Sequence, residues 1–366
     1  MLLLFRRSCS SSPSRPLQRI APKIRPGPTT MGAQRPHDTK RPARGPRAKQ
    51  SLGQNFLQDE SLARRIAQAL VTSDDGRVFE LGPGQGAITT HLLERHPGMT
   101  AVEIDERMIE HLTDTLPQLR LEHGDLLKLD FEQLAAERGG RLSLVSNTPF
   151  YLTSPLLFKL IAATEHVEEA VLTTQKEVAL KVLSPPNSKQ YGILAIMLQL
   201  FGAPKLLFDL PPEAFVPAPK VTSSVLRFEP CAIPPGERDP LSPAQRAALL
   251  GILKLTFEAR RKMLRVSLRR VIESGDVRPP PDEFLTKRPE QLSPSQWLEL
   301  ARSMLGDDLG ESRSESTPVT LERHTVNKGW RAHKAGYRDD SGKDGAPGAE
   351  RTGGGTAPAS AASQVE

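Results

Sequence analysis

The sequence VFELGPGQGA, residues 78–87, joins a short apolar run to a glycine-rich turn and the start of a helical pattern. The apolar run predicts a buried strand, and residues 87–94 predict a helix. Glycines let the backbone of the turn approach a ligand without a Cβ in the way, next to a helix N-terminus. The three parts together are typical of the nucleotide-binding turn of an α/β sheet.

The glycine turn leaves the cofactor open, because residues 82–87 also satisfy the dinucleotide pattern G-x-G-x-x-A. The next predicted strand, residues 100–104, carries Glu103 near its end, where a carboxylate can accept both hydroxyls of a ribose. Nicotinamide dinucleotides and S-adenosylmethionine both contain that ribose. The structural alternative is that Glu103 is an ordinary acid at a strand end.

Two further predicted strands end at polar residues. The strand at residues 119–122 precedes Asp125, and the following strand ends directly at Asn147. Because the carboxyl ends of strands in a doubly wound sheet converge on one crevice, we expect both to face the same ligand as Gly82 and Glu103. In that arrangement Asp125 accepts a hydrogen bond from an adenine amine, and Asn147 lies at the reacting end.

The turn NTPFY, residues 147–151, has the groups needed to hold an exocyclic amine. The Asn147 side-chain oxygen and the main-chain carbonyl of Thr148 can accept its two N–H groups, which returns electron density to the nitrogen. Pro149 stiffens the turn and Phe150 can stack on a base. The alternative is an ordinary surface turn. Amine positioning suits methyl transfer, whereas a dehydrogenase needs a group that assists hydride transfer.

These segments occur in a fixed order together with three others. The full set is KQSLGQNFL (49–57), ELGPG (80–84), VEID (102–105), HGD (123–125), NTPF (147–150), FVPAPKV (215–221) and RRKML (260–264). In this order they make the chain, from about residue 48 to about residue 305, resemble the small-subunit ribosomal RNA adenine N6 dimethyltransferases. That family has erythromycin-resistance and mitochondrial transcription-factor-like relatives.

The resemblance implies a Rossmann-like α/β sheet of the S-adenosylmethionine-dependent methyltransferases with a small C-terminal α-helical domain. It implies dimethylation of adenine N6 in small-subunit ribosomal RNA as part of ribosome biogenesis. The segment before the first strand resembles the part of the family that closes over the cofactor. The positions matching the family's S-adenosylmethionine contacts are Asn55, Leu57, Gly82, Glu103, Asp125 and Asn147.

The resemblance also assigns the residues around the target base. Asn147 faces the target amine, Phe150 is the aromatic residue of the catalytic turn, and Phe215 flanks the base from the other side. Stacking between two aromatic faces would replace the stacking that a flipped base loses on leaving RNA. Thr148 departs from the family, which usually has an aliphatic residue there. The contact proposed for this position is a main-chain carbonyl, so we expect the change to be tolerated.

Charge supports a polyanionic partner. The 366-residue chain has a formal net charge of +6 and a pI near 9.4. Basic residues are dense after Phe257, with no acid between Arg260 and Arg270. We predict phosphate contacts for four of them: Arg260, Arg261, Lys262 and Arg265. The alternative is a solvated face of a helix predicted at residues 261–272.

Composition also sets the expected organisation. The two cysteines, Cys9 and Cys231, are too few for a metal cluster, the histidines form no zinc pattern, and no apolar run is long enough to span a membrane. We expect a monomer without a metal or a membrane partner. The predicted segments are a basic arm (1–47), a methyltransferase domain (48–230), a helical RNA-binding domain (238–305) and a disordered tail (306–366).

The basic arm has the composition of a transit peptide. It alternates arginines with serines and prolines, and the first acidic residue is Asp38. We therefore expect import into an organelle, with the mitochondrion favoured over the plastid. The alternative is a disordered basic arm that contacts RNA.

Two functions of other classes remain open. The first is a non-catalytic RNA- or DNA-binding factor, such as an assembly factor or a mitochondrial transcription factor, built on the same fold. The intact Glu103, Asp125 and Asn147 argue against it. The second is a dinucleotide-dependent oxidoreductase, which the glycine pattern favours and the NTPF turn opposes.

Overall fold

A computed structural model describes residues 18–19, 45–72, 74–231, 233–234, 241–275 and 277–306. Most of the predicted basic arm and all but the first residue of the predicted tail lie outside these residues. In the described ranges the strands are β1 Gln18–Arg19, β2 Phe56–Leu57, β3 Val78–Leu81, β4 Thr100–Glu103, β5 Arg120–His123, β6 Leu142–Ser146, β7 Val167–Gln175, β8 Gly202–Leu210, β9 Phe215–Val216 and β10 Ser223–Pro230.

The main sheet has the strand order β1-β5-β4-β3-β6-β7-β10-β8. Strands β5, β4, β3, β6 and β7 are parallel, and β10 runs antiparallel between β7 and β8. The order reverses between β3 and β6, which places the ligand crevice of a doubly wound sheet at their carboxyl ends. The predicted Rossmann-like α/β fold is confirmed. Strands β2 and β9 form a separate two-stranded pair.

The edge strand β1 was not predicted, because its two residues lie in the segment assigned to the basic arm. Gln18 pairs with His123 and Arg19 with Glu122 in an antiparallel arrangement on β5.

The helices follow the strands and cover the sheet. They are α1 Glu60–Gln68, α2 Ala87–Arg95, α3 Glu106–Thr115, α4 Phe131–Glu137, α5 Thr153–Ala162, α6 Lys176–Val182, α7 Ile193–Leu200, α8 Pro243–Phe257, α9 Leu264–Ser267, α10 Arg269–Glu273, α11 Asp282–Leu285 and α12 Pro294–Leu305. Helices α8 and α12 each begin with a capping box and a proline in the first turn, which satisfies the free N–H groups there.

The helix predicted at residues 261–272 is wrong as a single element, because the structure contains the short helices α9 and α10 instead. Met263 is extended (φ −65°, ψ 150°), and the N–H of Leu264 donates to the main-chain carbonyl of Lys287 at 2.8 Å. That partner lies outside the segment, so the helix begins only at Leu264.

The C-terminal helices share a hydrophobic core with the sheet. One buried cluster contains Phe79 and Leu81 of β3 together with Leu249 of α8 and Trp297 of α12. Arg246 of α8 is 7% exposed and donates to main-chain carbonyls that include that of Ile161 in α5. These helices therefore pack on the same core as the sheet. The residue limits of the two predicted domains stay predictions.

Candidate active site

The glycine turn after β3 opens onto free space. Gly82, Gly84 and Gly86 have φ angles of +72°, +55° and +85°, which favour glycine. A Cβ on Gly84 would approach the ring of Phe56 to 3.0 Å, and one on Gly86 would approach Leu112 to 2.9 Å. A Cβ on Gly82 would meet no atom within 4 Å. Gly82 therefore borders the space into which the carboxyl ends of β3 and β6 open.

Glu103, at the end of β4, is 5% exposed and already accepts three main-chain hydrogen bonds. Its Oε1 accepts the N–H groups of Ile104 and Asp105, each at 2.9 Å, and its Oε2 accepts that of Gly84 at 3.1 Å. Burial raises the pKa of Glu103, and these N–H donors oppose the shift. Oε2 keeps one lone pair, so in this arrangement Glu103 can accept one ribose hydroxyl rather than both.

A second carboxyl group lies under the turn and was missed by the sequence reasoning. Glu80 of β3 is 1% exposed, and in the described part of the chain its Oε2 has no hydrogen-bond partner. Burial raises the pKa of Glu80 to about 8; the nearby Thr89 hydroxyl opposes this shift, and the charge of Glu103 adds to it. Glu80 is therefore largely protonated at neutral pH. The only sequence signal was an acid inside an otherwise apolar strand.

Asn147 directly follows β6, beside the glycine turn. The Ser146 hydroxyl donates to the Leu81 carbonyl at 2.7 Å, which ties the end of β6 to the end of β3. The Asn147 Nδ2 donates to the main-chain carbonyl of Asn55 at 3.1 Å, and its Oδ1 accepts from the Thr173 hydroxyl at 2.6 Å. The structure thus places Asn147 directly after a strand end that is bonded to the end of β3, with an oriented amide.

The segment before α1 is held by contacts with Asp105 at the edge of the space beside Gly82. Gln54 donates to Asp105 Oδ2 at 3.0 Å, and Lys49 Nζ lies 3.6 Å from Asp105 Oδ1. Burial alone would raise the pKa of Asp105, but hydrogen bonds from Arg107 and Gln54 and the charges of Arg107 and Lys49 hold it below its ordinary value. The Asp105 side chain therefore anchors the segment that carries Asn55. Neither Gln54 nor Asp105 was predicted as a site residue.

Leu57 and Phe215 are brought together by the small pair of strands β2 and β9. Leu57 pairs with Phe215 in the register, and the two residues are 3% and 4% exposed. Both pack in a buried cluster with α1 and α2 residues. Little of the Phe215 ring is accessible in this structure, and its contact with a target base stays a prediction.

The remaining residues of the NTPF turn lie around Asn147. Thr148 is 3% exposed, and in the described ranges its hydroxyl has no hydrogen-bond partner. The acceptance of an amine N–H by the Thr148 main-chain carbonyl stays a prediction. Phe150 is half-buried, and the ring of Tyr151, which is 50% exposed, lies against Gly53.

Asp125 follows β5 in the loop that leads to α4. Its Oδ1 accepts the N–H of Leu127 at 2.9 Å, and its Oδ2 lies 3.9 Å from Lys128 Nζ. The carboxylate therefore keeps acceptor capacity for an amine. Burial, followed by the negative charge of Asp125, raises the pKa of Tyr151.

The predicted phosphate contacts differ in their surroundings. Arg260 pairs with Glu290 at 2.8 Å and donates to the main-chain carbonyls of Lys189 and Ser188. Its guanidinium group thus holds three chain segments together. Arg261 and Lys262 are exposed. Arg265, which lies on α9, is also exposed. Sequence reasoning missed the partner of Arg260 because Glu290 lies 30 residues away.

Two further findings bear on the expected partners. The described residues contain no group of three or more His, Cys, Asp or Glu side chains that could hold a metal ion. None of the helices described is both long and apolar enough to cross a membrane.

Comparison with known proteins gives consistent matches. Residues 45–303 match the family model described as ribosomal RNA adenine dimethylase. The chain is 44% identical over 260 residues to a protein of Salinibacter ruber named ribosomal RNA small subunit methyltransferase A, a match that covers 70% of this chain and 85% of the relative. It is 38% identical over 263 residues to the Bordetella pertussis protein of the same name, covering 70% and 94%.

Among solved structures, a dimethyladenosine transferase from Plasmodium falciparum is similar in fold. The TM-score is 0.59 at 23% identity, and the match covers 69% of this chain and 98% of the other.

Proposed function

The chain belongs to the ribosomal RNA adenine dimethylase family, and on that premise we propose that it transfers methyl groups from S-adenosylmethionine to N6 of adenine in small-subunit ribosomal RNA. The observation that carries the proposal is the oriented amide of Asn147 beside the free space at Gly82. An amide oxygen held beside a cofactor space suits the delivery of an amine nucleophile. It gives no means of assisting hydride transfer, so the oxidoreductase alternative is not retained.

The residues present fit S-adenosylmethionine. A Cβ at Gly82 would project into the space that the cofactor would occupy, Glu103 Oε2 has one lone pair for a ribose hydroxyl, and Asp125 has acceptor capacity for the adenine amine. S-adenosylmethionine, when bound, supplies an electrophilic methyl group. The segment that carries Asn55 and Leu57 lies at the edge of the same space and would exclude water from it.

The side chains around the turn act on the substrate amine. Asn147 Oδ1 keeps one lone pair beside its contact with Thr173. This oxygen and the Thr148 carbonyl would accept the two N–H groups of the amine. Both contacts strengthen as the nitrogen becomes positively charged, so they stabilise the transition state more than the bound substrate. Phe150 would stack on the base. After transfer the nitrogen carries a positive charge, and solvent can then remove its proton.

The partner, assembly and location are part of the same proposal. We propose a pre-ribosomal small subunit as the substrate particle, with Arg261, Lys262 and Arg265 meeting RNA phosphates from the exposed surface of α9 and the turn before it. We propose that the chain acts as a monomer. Mitochondrial import is supported by the basic, serine-rich and acid-poor composition of residues 1–37, with the plastid as the alternative destination.

The function is tested with small subunits from cells that lack this activity. The purified protein and labelled S-adenosylmethionine are incubated with these particles, and the modified nucleotides are mapped by mass spectrometry. The proposal predicts N6,N6-dimethyladenosine in the small-subunit RNA. Cofactor binding by calorimetry without any methylated RNA would instead support the non-catalytic binding factor.

A further inference from the structure

The amide of Asn147 is held at both ends, and the two contacts define its orientation. The main-chain carbonyl of Asn55 can only accept a hydrogen bond, so the group 3.1 Å from it must be the amide nitrogen. The oxygen then faces the Thr173 hydroxyl at 2.6 Å. An amide oxygen cannot donate, and therefore Thr173 is the donor in this second contact.

Thr173 reaches Asn147 because of the register of the sheet. Ser146 at the end of β6 is paired with Leu172 of β7, so the residues that follow each of them lie side by side. Thr173 is 1% exposed, which removes its hydroxyl from solvent. Among the described residues, the Asn147 oxygen is the group that accepts a hydrogen bond from that hydroxyl. The contact is thus specific, with its donor side shielded from solvent.

We infer that Thr173 is a positioning residue for methyl transfer: its hydroxyl holds the Asn147 amide so that one lone pair of Oδ1 points to the target amine. The inference rests on the proposed function, in which Asn147 accepts the amine. The terminal torsion of an asparagine side chain is soft. With the Asn55 contact alone, the amide can rotate about that single hydrogen bond, whereas the contact at Oδ1 removes this freedom.

The same contact divides the lone pairs of Oδ1. One is occupied by the Thr173 hydroxyl, and one remains for an N–H of the amine. Removing the Thr173 hydroxyl leaves Asn147 Oδ1 in place but no longer fixes its orientation toward the amine. The loss should appear in the chemical step, where geometry is most demanding, and much less in cofactor affinity.

The chain offers a matched control on the same strand. Thr174 is 0% exposed, and in the described part of the chain its hydroxyl has no hydrogen-bond partner. The variants Thr173→Val and Thr174→Val therefore make the same chemical change at neighbouring buried positions. Thr173→Ser keeps the hydroxyl and removes only a methyl group. Thermal unfolding of all three variants reports whether each one is folded.

The measurement is single-turnover methylation of small-subunit RNA at saturating RNA and S-adenosylmethionine. We expect Thr173→Val to lower the rate about 3- to 10-fold, the scale of one neutral hydrogen bond. Thr173→Ser and Thr174→Val should stay within about twofold of wild type. Calorimetric affinity for S-adenosylmethionine should be unchanged within about the same margin for all three.

A double-mutant cycle separates positioning from a general structural effect. In an Asn147→Ala background the target of the hydroxyl is absent, so adding Thr173→Val should have no further effect on the rate. An equal loss in both backgrounds, or a wild-type rate for Thr173→Val, overturns the inference. In either case active wild-type protein leaves the proposed function standing. Wild-type protein that transfers no methyl group would instead refute the proposed function.

Discussion

Replacing Glu80 by glutamine should remove a pH-dependent loss of stability from the fold. The folded pKa of about 8 lies above the ordinary value of 4.5 that applies to the unfolded chain. The unfolded state therefore releases its proton first as the pH rises. The stability contributed by protonated Glu80 is complete below pH 4.5 and is lost as the pH approaches 8.

The magnitude follows from the size of the shift. One pKa unit corresponds to about 1.4 kcal/mol, so the wild-type free energy of unfolding should fall by about that amount per pH unit inside this window. Between about pH 5.5 and about pH 7.5 the accumulated loss is on the order of 2–3 kcal/mol. Glu80 is fully buried, so solvent screening does not reduce the effect. A glutamine at this position has no proton to lose, and this slope should disappear.

The assay is urea unfolding of wild type and Glu80→Gln at several pH values in this range. The matched control is Glu132→Gln on α4, which makes the same change in charge at an exposed position. A glutamine that lacks a hydrogen-bond partner would shift all values equally, so the slope of the difference between variant and wild type is the test. A difference that stays constant with pH would refute the conclusion that Glu80 is folded as a neutral acid.

The site and the surface can be tested in four further ways. Asn147→Ala should lower single-turnover methylation roughly 10²-fold or more with only a modest loss of cofactor affinity, as expected for one preorganised transition-state partner; a near wild-type rate would make the NTPF turn only a turn. Glu103→Ala should weaken S-adenosylmethionine binding measured by calorimetry by about 1.5–3 kcal/mol, and unchanged affinity would remove Glu103 from the site. Neutralising Arg261 and Lys262 should reduce the slope of log affinity for RNA against log salt concentration by about 0.7–0.9 for each phosphate that the variant no longer binds. An unaltered slope would mean that these side chains are only solvated and do not contact RNA. A chain that starts at residue 48 should methylate RNA in vitro but fail to enter its organelle; retained import would contradict the transit-peptide proposal.

Much of the architecture was predictable because its signals are local. The order of strand, glycine turn and helix at residues 78–87 predicted β3 and α2, and the apolar run before Asn147 predicted β6 with its observed limits. Each of these elements depends mainly on neighbouring residues, so its pattern is visible in the chain.

The predictions that differed from the structure depended on distant partners. The helix expected at residues 261–272 divides because the N–H of Leu264 bonds to the main chain at Lys287. The phosphate contact of Arg260 stays a prediction, but the sequence did not show that its guanidinium group pairs with Glu290. A run of basic residues shows charge, but it does not show which charges are neutralised by another part of the fold.

The amino-acid sequence by itself determined the α/β architecture, the family and the positions of Gly82, Glu103 and Asn147 at successive strand ends, because strand order brings those ends to one crevice. Only the tertiary structure decided what those groups can do. The Asn147 amide is oriented by a carbonyl 92 residues away and by a hydroxyl on the adjacent strand, Thr173. Glu80 keeps its proton at neutral pH because the packed sheet excludes water from it. Orientation and burial arise from contacts between distant residues, and no local pattern records them.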